Sequence, residues 1–241
     1  MGDTILTFKR YEKKYLLSAE KYEQLWQRLE EYMEPDRFFS STVCSIYYDD
    51  DQYSLIRHSI EKPTYKEKLR VRSYNVPEKD GNVFVELKKK FEGIVYKRRV
   101  VMTAQEAEAY LSGEKPAPMD TQMIREIDWF MHENKPVPKI FIACERLAYK
   151  AKENENLRIT FDMNIRWRED DLHLTSGSYG ERLLEDGQVI MEIKIPGAAP
   201  IWLANMLSEL EIFPRGFSKY GTCYKNNLIE KYFNEVICDA Q

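Results

Sequence analysis

Seven segments of the chain alternate apolar and charged residues with a period of two, which is the pattern of β-strands that have one apolar and one polar face. In Tyr65–Tyr74 the even positions from 66 to 72 are basic, whereas Leu69 and Val71 lie on the opposite face. An eighth strand is predicted at Ser45–Asp49. The seven alternating segments are Phe8–Leu16, Tyr65–Tyr74, Val83–Lys90, Ile94–Met102, Phe141–Tyr149, Leu157–Met163 and Val189–Ile195.

Helical periodicity is confined to five places between and after these strands. Thr103 and Glu106 have the spacing of a capping box, in which each residue satisfies the other's backbone N–H. We interpret the helix aromatics Trp26, Trp129 and Phe130 as core residues. The predicted helices are Ser18–Met33, with Ser18 as its cap, Ala104–Leu111, Thr121–Glu133, Ile201–Leu210 and Thr222–Val236.

Charge is distributed unevenly along the chain. The sum of 36 Lys and Arg against 40 Asp and Glu gives a formal net charge of −4, which argues against a generic binder of nucleic acids or membrane surfaces. The segment Lys62–Arg99 nevertheless holds twelve basic and five acidic residues, a net charge of +7 that leaves −11 for the remainder. The basic residues are therefore concentrated on a few of the predicted strands.

Two architectures produce such strands. An ordinary half-exposed sheet alternates charged and apolar residues. The dominance of Lys and Arg on the charged faces instead favours an α+β fold, a closed antiparallel eight-stranded β-barrel tunnel with a charged interior, surrounded by helices. Enclosing many like charges without a partner is prohibitively costly, so the interior is expected to be wet and to bind a polyanion. Strands from both ends of the chain are needed for closure, which predicts a single domain over residues 1–241.

Phosphate is the expected partner, because Arg offers a planar fork of donors and Lys a compact positive charge. Mg²⁺ or Mn²⁺ bound to phosphates needs only one or two protein carboxylates. Glu192, two residues before Lys194, is the first candidate ligand, and Glu12, two residues before Lys14, is the second. The alternative for each is an ion pair within the sheet.

Several other classes of site are missing from the sequence. No phosphate-binding glycine loop, kinase signature or recognisable nucleophile motif occurs. The four scattered cysteines form no zinc-binding pattern and predict reduced thiols, as in a cytoplasmic protein. No apolar run approaches the length of a membrane span, and residues 1–10 contain no signal-peptide pattern. We therefore expect a soluble cytoplasmic protein without direct membrane insertion and without a nucleic-acid partner.

Nine short motifs in order carry a family resemblance over about 210 residues. The motifs are R-Y-E-x-K-Y at Arg10–Tyr15, Y-Y-D at Tyr47–Asp49, K-L-R-V-R at Lys68–Arg72, E-L-K-K-K at Glu86–Lys90, K-R-R at Lys97–Arg99, E-R-x-A-Y at Glu145–Tyr149, R-I-T-F-D at Arg158–Asp162, E-I-K at Glu192–Lys194 and F-S-K-Y at Phe217–Tyr220. With these motifs the chain resembles the VTC domain, the polyphosphate polymerase domain of the triphosphate tunnel metalloenzyme superfamily, which also contains the CYTH enzymes. The fold implied is a tunnel of eight antiparallel strands.

The resemblance implies a set of site residues. Glu192 matches the family's metal-binding glutamate, and Glu12 stays the second candidate metal ligand. In K-R-R, we expect Lys97 and Arg99 to face the site and Arg98 to take the opposite face. Catalytic roles are expected for Arg70, Arg72, Lys88, Arg146, Arg158 and Lys219. Substrate-binding roles are expected for Lys14, Lys68, Lys97, Arg99, Lys194 and Ser218.

The activity implied is a metal-dependent transfer of the γ-phosphate of ATP onto a growing polyphosphate chain, with Mn²⁺ or Mg²⁺ as cofactor. ATP and polyphosphate are the expected partners. A free-standing domain of this kind is expected to be bacterial. One alternative is a CYTH-like tunnel triphosphatase, although Arg10 replaces the first glutamate of the E-x-E-x-K signature of that branch. The other alternative is a polyphosphate-binding module without catalysis.

Overall fold

The computed structural model describes residues 10–92 and 94–231. Within these residues the fold is α+β, with nine β-strands and six α-helices. The strands are β1 (Arg10–Leu17), β2 (Met33–Asp49), β3 (Tyr65–Tyr74), β4 (Asn82–Phe91), β5 (Ile94–Thr103), β6 (Val137–Ala151), β7 (Arg158–Arg168), β8 (Glu181–Arg182) and β9 (Val189–Pro196). The helices are α1 (Ala19–Leu29), α2 (Ser54–Ile60), α3 (Ala104–Leu111), α4 (Gln122–Asn134), α5 (Ile201–Glu209) and α6 (Lys219–Cys223). A 3₁₀ turn at Leu174–Ser176 and a π-helical turn at Tyr224–Leu228 complete the secondary structure.

The strands form one antiparallel sheet in the order β1-β9-β7-β6-β2-β3-β4-β5, and β8 pairs with β7. The α+β class and the antiparallel sheet are thus as predicted. Between β1 and β5 the described residues form no pairing that closes the sheet, so closure into an eight-stranded barrel stays a prediction. Residues 8 and 9 of the predicted first strand and residues 232–236 of the predicted last helix lie outside the described residues.

Strand β2 is the largest departure from the predicted elements. It extends over 17 residues from Met33, whereas the sequence pattern predicts only Ser45–Asp49. Its first half is mostly exposed and contains Pro35, which weakens the strand signal. Helix α1 accordingly ends at Leu29 and does not reach Met33. Ser18 caps this helix as predicted, accepting a hydrogen bond from the backbone N–H of Lys21 at 3.2 Å.

Helix α2 was not predicted because the side chains that cap its N-terminus come from residues several positions earlier in the chain. Its N-cap residue, Tyr53, makes no side-chain capping bond. The N-terminal N–H groups of the helix are instead satisfied by carboxylates at the end of β2 and just after it. Asp50 accepts from Ser54, and Asp49 accepts from Leu55 and Ile56. Helix α3, in contrast, has the predicted capping box between Thr103 and Glu106.

The chain divides into two compact units. The first unit comprises residues up to Ser41, Glu145–Asn164 and Leu184–Phe217. Helices α1 and α5 cover the apolar face of its strands. Leu25 and Leu203 of these helices are fully buried in one cluster with Phe161 of β7 and Met191 of β9.

The second unit comprises Thr42–Cys144, Ile165–Leu183 and the residues from Ser218 onward. Its core joins the odd-numbered residues of β3 and β4, such as Leu69 and Val85, to helices α3 and α4. Phe130 of α4 is buried in this core, as predicted, but Trp129 is 67% exposed, so its prediction as a core residue is wrong. Trp129 lies on the outer side of the helix, where a single exposed aromatic is common.

The cysteines and the helices complete the description of the fold. Cys44, Cys144 and Cys223 are buried and form no disulfide bond among the described residues, and Cys238 lies outside them. Of the helices that the structure describes, none combines the length and the apolar character that crossing a bilayer requires.

Candidate functional site

The charged face of the second unit is an ordered array of cations set by strand register. Tyr47, Arg70, Glu86 and Arg99 are directly paired across β2, β3, β4 and β5 and so form one row. Directly opposed residues of an antiparallel sheet point to the same face with their Cβ atoms about 5 Å apart. The register therefore places one carboxylate between two arginines.

The Glu86 carboxylate is the centre of this row. Only 1% of the residue is exposed. Its Oε2 accepts a hydrogen bond from Arg70 Nε at 2.7 Å, and its Oε1 accepts from Arg99 Nε at 2.6 Å and lies 2.6 Å from Lys97 Nζ. Burial opposes ionisation of Glu86, but Arg70, Arg72 and Lys97 outweigh it and hold the pKa of the carboxyl well below its usual value. Glu86 is therefore ionised at neutral pH and orients three cations.

The next row consists of lysines alone. Lys68, Lys88 and Lys97 lie directly opposite one another across β3, β4 and β5. Lys66 and Lys90 form a further pair of opposed lysines. Like charges directly opposite one another destabilise a sheet. A polyanion bound to this row would offset the repulsion between its lysines.

Two neighbouring groups extend this face. On one side, Arg72 Nε donates to Ser45 Oγ at 3.1 Å. On the other, Lys68 Nζ donates to Ser218 Oγ at 3.2 Å. Ser218 is also the N-cap of helix α6, where its hydroxyl accepts from the backbone N–H of Gly221 at 3.2 Å. The predicted substrate-binding residues Lys68 and Ser218 are therefore in direct contact.

The K-R-R motif divides between the two faces in the way that the alternation predicts. Lys97 and Arg99 both contact Glu86 on the charged face. Arg98 points to the helical face, where its Nε lies 3.0 Å from an oxygen of Glu126 in α4. Consecutive arginines thus belong to different environments.

Tyrosine side chains border the cation rows. Tyr47 is buried, its ring stacks on Tyr220 with centroids 5.0 Å apart, and its hydroxyl lies 3.4 Å from Arg70 Nη1. Burial opposes ionisation, but Arg70, Arg72 and Lys219 outweigh it and lower the pKa of Tyr47 to about 8. Lys219 is therefore close enough to this row to act on Tyr47 electrostatically.

The first unit has a second charged face, formed by β1, β9 and β7. Register places Lys14, Glu192 and Thr160 in one row. The adjacent row consists of Glu12, Lys194 and Arg158. Predicted metal-binding and phosphate-binding residues are thus interleaved on neighbouring strands.

Glu192 is largely enclosed, with 9% of the residue exposed. Its carboxylate lies 2.5 Å from Lys194 Nζ and 3.5 Å from Lys14 Nζ. Burial opposes ionisation, but Lys194, Lys14 and Arg146 outweigh it and hold the pKa of Glu192 well below its usual value. Glu12 is more exposed and lies 3.7 Å from Lys14 Nζ. Both glutamates therefore make the ion pairs that the alternative interpretation predicts.

The two predicted arginines of the first unit are each paired with an aspartate. Arg146 binds Asp162 through two parallel hydrogen bonds, at 2.6 Å from Nε and 2.7 Å from Nη2. Arg158 pairs with Asp36 of β2. The bidentate geometry fixes the plane of the Arg146 guanidinium.

The residues around Glu192 fit a divalent cation that takes most of its ligands from substrate and water. Among the described residues, no group of three or more His, Cys, Asp or Glu side chains could hold a metal ion. Mg²⁺ and Mn²⁺ bound to phosphates require only one or two protein carboxylates. Thr160, directly opposite Glu192, has a buried hydroxyl without a hydrogen-bond partner among the described residues, and a metal-bound water would satisfy it. Glu192 would hold the ion.

Four polar residues of these faces were not predicted as site residues, namely Glu86, Asp36, Asp162 and Tyr47. Glu86 precedes Lys88 by two positions, the same spacing that singled out Glu192, so this signal was present in the sequence. Asp162 shares the alternation of Arg158, but its partner Arg146 is on another strand. Their partners depend on strand register, which alternation alone does not determine.

Comparison with known proteins places the chain in a family. Residues 9–227 match the family model of the VTC domain. The chain is 24% identical over 219 residues to vacuolar transporter chaperone complex subunit 4 of Trypanosoma brucei brucei, and 26% identical over 226 residues to the same subunit of Trypanosoma cruzi. Each alignment covers 75% of this chain but only 28% and 27% of the relatives. The chain thus spans less than a third of the length of the curated relatives it matches.

Two solved structures share the fold. A candidate adenylate cyclase from Bacillus halodurans superposes with a TM-score of 0.54 at 16% identity, covering 92% of this chain and 96% of that chain. A candidate adenylyl cyclase from Hippeastrum, reported to have a dominant triphosphatase activity, superposes with a TM-score of 0.51 at 16% identity, covering 90% and 96%. At this identity the likeness concerns the fold. Together with the match to residues 9–227, it confirms the resemblance carried by the nine motifs: the chain belongs to the VTC domain family.

Proposed function

We propose that this domain is a metal-dependent polyphosphate polymerase, which transfers the γ-phosphate of ATP onto the end of a polyphosphate chain and releases ADP. The row Lys68–Lys88–Lys97 carries the proposal, because three directly opposed lysines beside two arginines form a surface that a chain of phosphates would neutralise.

The proposed mechanism relies on positioning and charge. Arg70 and Arg99, held by Glu86, offer guanidinium donors to phosphate oxygens, and the lysine row binds the adjacent phosphates. The terminal phosphate of the chain attacks the γ-phosphorus of ATP, and the bond from that phosphorus to the bridging oxygen of ADP breaks. Such a transfer needs no protein nucleophile, because oriented cations stabilise the charge of the transition state.

Metal binding is proposed for the charged face of the first unit. A bound divalent cation would neutralise the charge that develops on the phosphate oxygens. Glu192 would hold it, with Glu12 as the second carboxylate of the same face, and Mn²⁺ or Mg²⁺ fits this oxygen donor set. Lys14, Lys194, Arg146 and Arg158 would bind phosphates.

We further propose that both units act as one domain whose sheet closes into a tunnel. The family match spans residues 9–227 and therefore includes both units. The curated relatives are subunits of a vacuolar transporter chaperone complex, so protein partners are part of the proposal. A cytoplasmic location and a bacterial origin remain predictions, and the curated relatives found are trypanosomal.

Triphosphate hydrolysis is the second candidate function. The Hippeastrum protein, which shares the fold, is reported to be predominantly a triphosphatase. In that case the same cations would hold the triphosphate and water would attack the γ-phosphorus. The sequence Glu12-x-Lys14 retains part of the signature of that branch, but Arg10 departs from it.

Product analysis tests the proposal. The purified protein is incubated with ATP and Mn²⁺, and the products are separated on a gel that resolves polyphosphate by length. The polymerase predicts a ladder or smear of long chains. If free phosphate is the only phosphate product, the activity is that of a triphosphatase and not of a polymerase. Binding of polyphosphate without turnover would indicate a non-catalytic binding module.

A further inference from the structure

The motif Y-Y-D at Tyr47–Asp49 and the residues Ser218–Tyr220 of the motif F-S-K-Y, all in the second unit, meet at the side chain of Tyr220. Of these motifs, only Ser218 and Lys219 are among the site residues that the sequence predicts. We infer that Asp49 and Tyr220 are positioning residues that hold Lys219 and Ser218 at the cation rows before substrate binds. This inference rests on the proposed function, because it concerns how the same site is organised.

Asp49 is an unusually well-satisfied buried carboxylate. It is fully buried and accepts hydrogen bonds from three backbone N–H groups, those of Asp50 at 3.0 Å, Leu55 at 2.9 Å and Ile56 at 3.0 Å. The hydroxyl of Tyr220 donates a fourth, at 2.8 Å to Oδ2. A buried carboxylate needs such donors to offset its loss of hydration. The chain therefore has a strong energetic reason to keep the Tyr220 hydroxyl in this place.

Tyr47 holds the same tyrosine from a second direction. It precedes Asp49 by two residues on β2 and therefore shares its face, and its ring stacks on that of Tyr220 at an angle of 26°. One end of β2 thus contacts Tyr220 both through a ring and through a hydrogen bond. Two different contacts to one strand leave the Tyr220 side chain little freedom to rotate.

The residues adjacent to Tyr220 in the sequence are held in place together with it. Ser218, two residues earlier, accepts a hydrogen bond from Lys68, and Lys219 contributes to the lowered pKa of Tyr47. Gly221 follows directly, and a Cβ atom there would lie 3.3 Å from the side chain of Ser218, closer than most such contacts. The segment Ser218–Gly221 is therefore tightly folded, and the contacts of the Tyr220 side chain help to fix its position.

This arrangement has a consequence for affinity. Ordering the backbone and the side chains of a binding segment costs affinity when it happens on binding. The contacts of Tyr220 fix the backbone that carries Lys219 in advance, so part of that cost is met during folding. Losing the Tyr220–Asp49 bond should consequently weaken phosphate binding although neither residue needs to touch phosphate.

The test compares two tyrosine-to-phenylalanine variants of the whole protein. Tyr220→Phe removes the hydrogen bond to Asp49 but keeps the ring that stacks on Tyr47. Tyr110→Phe is the matched control, because Tyr110 is also buried in the second unit and donates to an aspartate, Asp128 at 2.6 Å, but on the helical face. Both variants lose one buried tyrosine–aspartate hydrogen bond, so a loss of thermal stability alone cannot distinguish them.

Affinity for inorganic tripolyphosphate, measured by calorimetry, is the deciding quantity. We expect Tyr220→Phe to weaken binding by about three- to tenfold, the effect of one hydrogen bond, and Tyr110→Phe to leave it unchanged. A double-mutant cycle with Lys219→Ala should be non-additive, since Lys219 accounts for the effect of Tyr220. Unchanged affinity in Tyr220→Phe, equal losses in both phenylalanine variants, or strict additivity with Lys219→Ala would overturn the inference.

These outcomes separate the inference from the proposed function. If the parent protein and Tyr220→Phe bind tripolyphosphate equally but Lys219→Ala does not, only the positioning role is wrong. If the parent protein does not bind tripolyphosphate at all, the proposed function fails and the positioning role with it.

Discussion

Arg98 and Arg99 are consecutive residues of β5 that ion-pair with carboxylates on opposite faces of the sheet. Arg98 binds Glu126 of helix α4, and Arg99 binds Glu86 among the cations of the charged face. Both side chains carry the same charge and are exposed to a similar extent, 38% and 32%. They therefore form an internal control for which face binds phosphate.

Substituting these two arginines tests the face assignment. We expect Arg99→Ala to weaken tripolyphosphate binding by about 1.5–3 kcal/mol, the range for hydrogen bonds to charged groups. Arg98→Ala should change it little, since its charge is on the other side of the sheet and is screened by salt. Titration calorimetry at one ionic strength measures both. Equal losses would mean that the net charge of the protein, and not the charged face, determines binding.

Neutralising Glu86 should destabilise the empty protein. Glu86→Gln leaves Arg70, Lys97 and Arg99 without their shared counter-charge, and we expect a loss of about 1–3 kcal/mol in the free energy of unfolding at neutral pH. The pKa of Glu86 lies below its ordinary value of 4.5, so the stabilisation that its charge provides is present above that pH and is lost as the pH falls through the folded-state value. Urea denaturation at several pH values measures the effect.

Glu126→Gln is the control for this prediction. Glu126 also pairs with cations, Arg98 and Lys89, but on the helical face, and its side chain is 23% exposed. We expect the partly exposed pair to contribute no more than about 1 kcal/mol.

The difference in stability between the parent and Glu86→Gln should shrink as the pH falls below about 4.5. A difference that stays constant with pH would show that the Glu86 charge does not stabilise the fold.

The Tyr47 phenol should make polyanion binding sensitive to alkaline pH. Its pKa of about 8 means that a negative charge appears among Arg70, Arg72 and Lys219 as the pH rises through that value. This charge repels phosphate, so the affinity of the parent protein for tripolyphosphate should fall above about pH 8, approaching about tenfold per pH unit if binding requires the neutral phenol. Calorimetric titrations between about pH 7 and pH 9.5 measure the profile.

Tyr47→Phe separates this effect from other titrations. The variant loses the hydroxyl but retains the ring that stacks on Tyr220. Ionisation of the ligand and of lysines affects both proteins alike and cancels in the ratio of their dissociation constants. We expect that ratio to change with pH. A constant ratio across the alkaline range would exclude Tyr47 as the titrating group.

Glu192 should be required for metal binding. Glu192→Gln replaces an anionic ligand by a neutral amide, and we expect the affinity for Mn²⁺ in the presence of a non-hydrolysable ATP analogue to fall by at least about tenfold, with loss of turnover. Electron paramagnetic resonance of free Mn²⁺ measures binding independently of activity. Glu12→Gln, which leaves Glu192 in place, should have the smaller effect. Unchanged Mn²⁺ affinity and full activity would make Glu192 a structural ion-pair partner of Lys14 and Lys194.

Alternation predicted which residues of each strand share a face, and therefore most of the fold. Strand β3 has the predicted bounds, and Leu69 and Val71 enter the core opposite the basic residues. Two elements that have no local sequence signal of their own were not predicted. Helix α2 is capped by Asp49, which lies several residues before it, and the exposed half of β2 has no apolar alternation.

The candidate site was predictable as a set of cations but not as a set of contacts. The motifs identified Arg70, Lys97 and Arg99 individually, whereas their shared contact with Glu86 depends on the register of three strands. Likewise, Tyr220 follows the predicted Lys219, but its hydrogen bond to Asp49 joins residues 171 positions apart in the chain. Such long-range contacts follow from tertiary packing, which local patterns do not encode.

The fate of the γ-phosphate of ATP tests the central claim most directly. With ATP labelled at that position and Mn²⁺ present, the account predicts that the label enters polyphosphate chains resolved on a gel, with one ADP released for each phosphate added. Glu192→Gln should produce neither polymer nor ADP. Label recovered entirely as free phosphate, with ADP released in equal amount, would contradict polyphosphate synthesis.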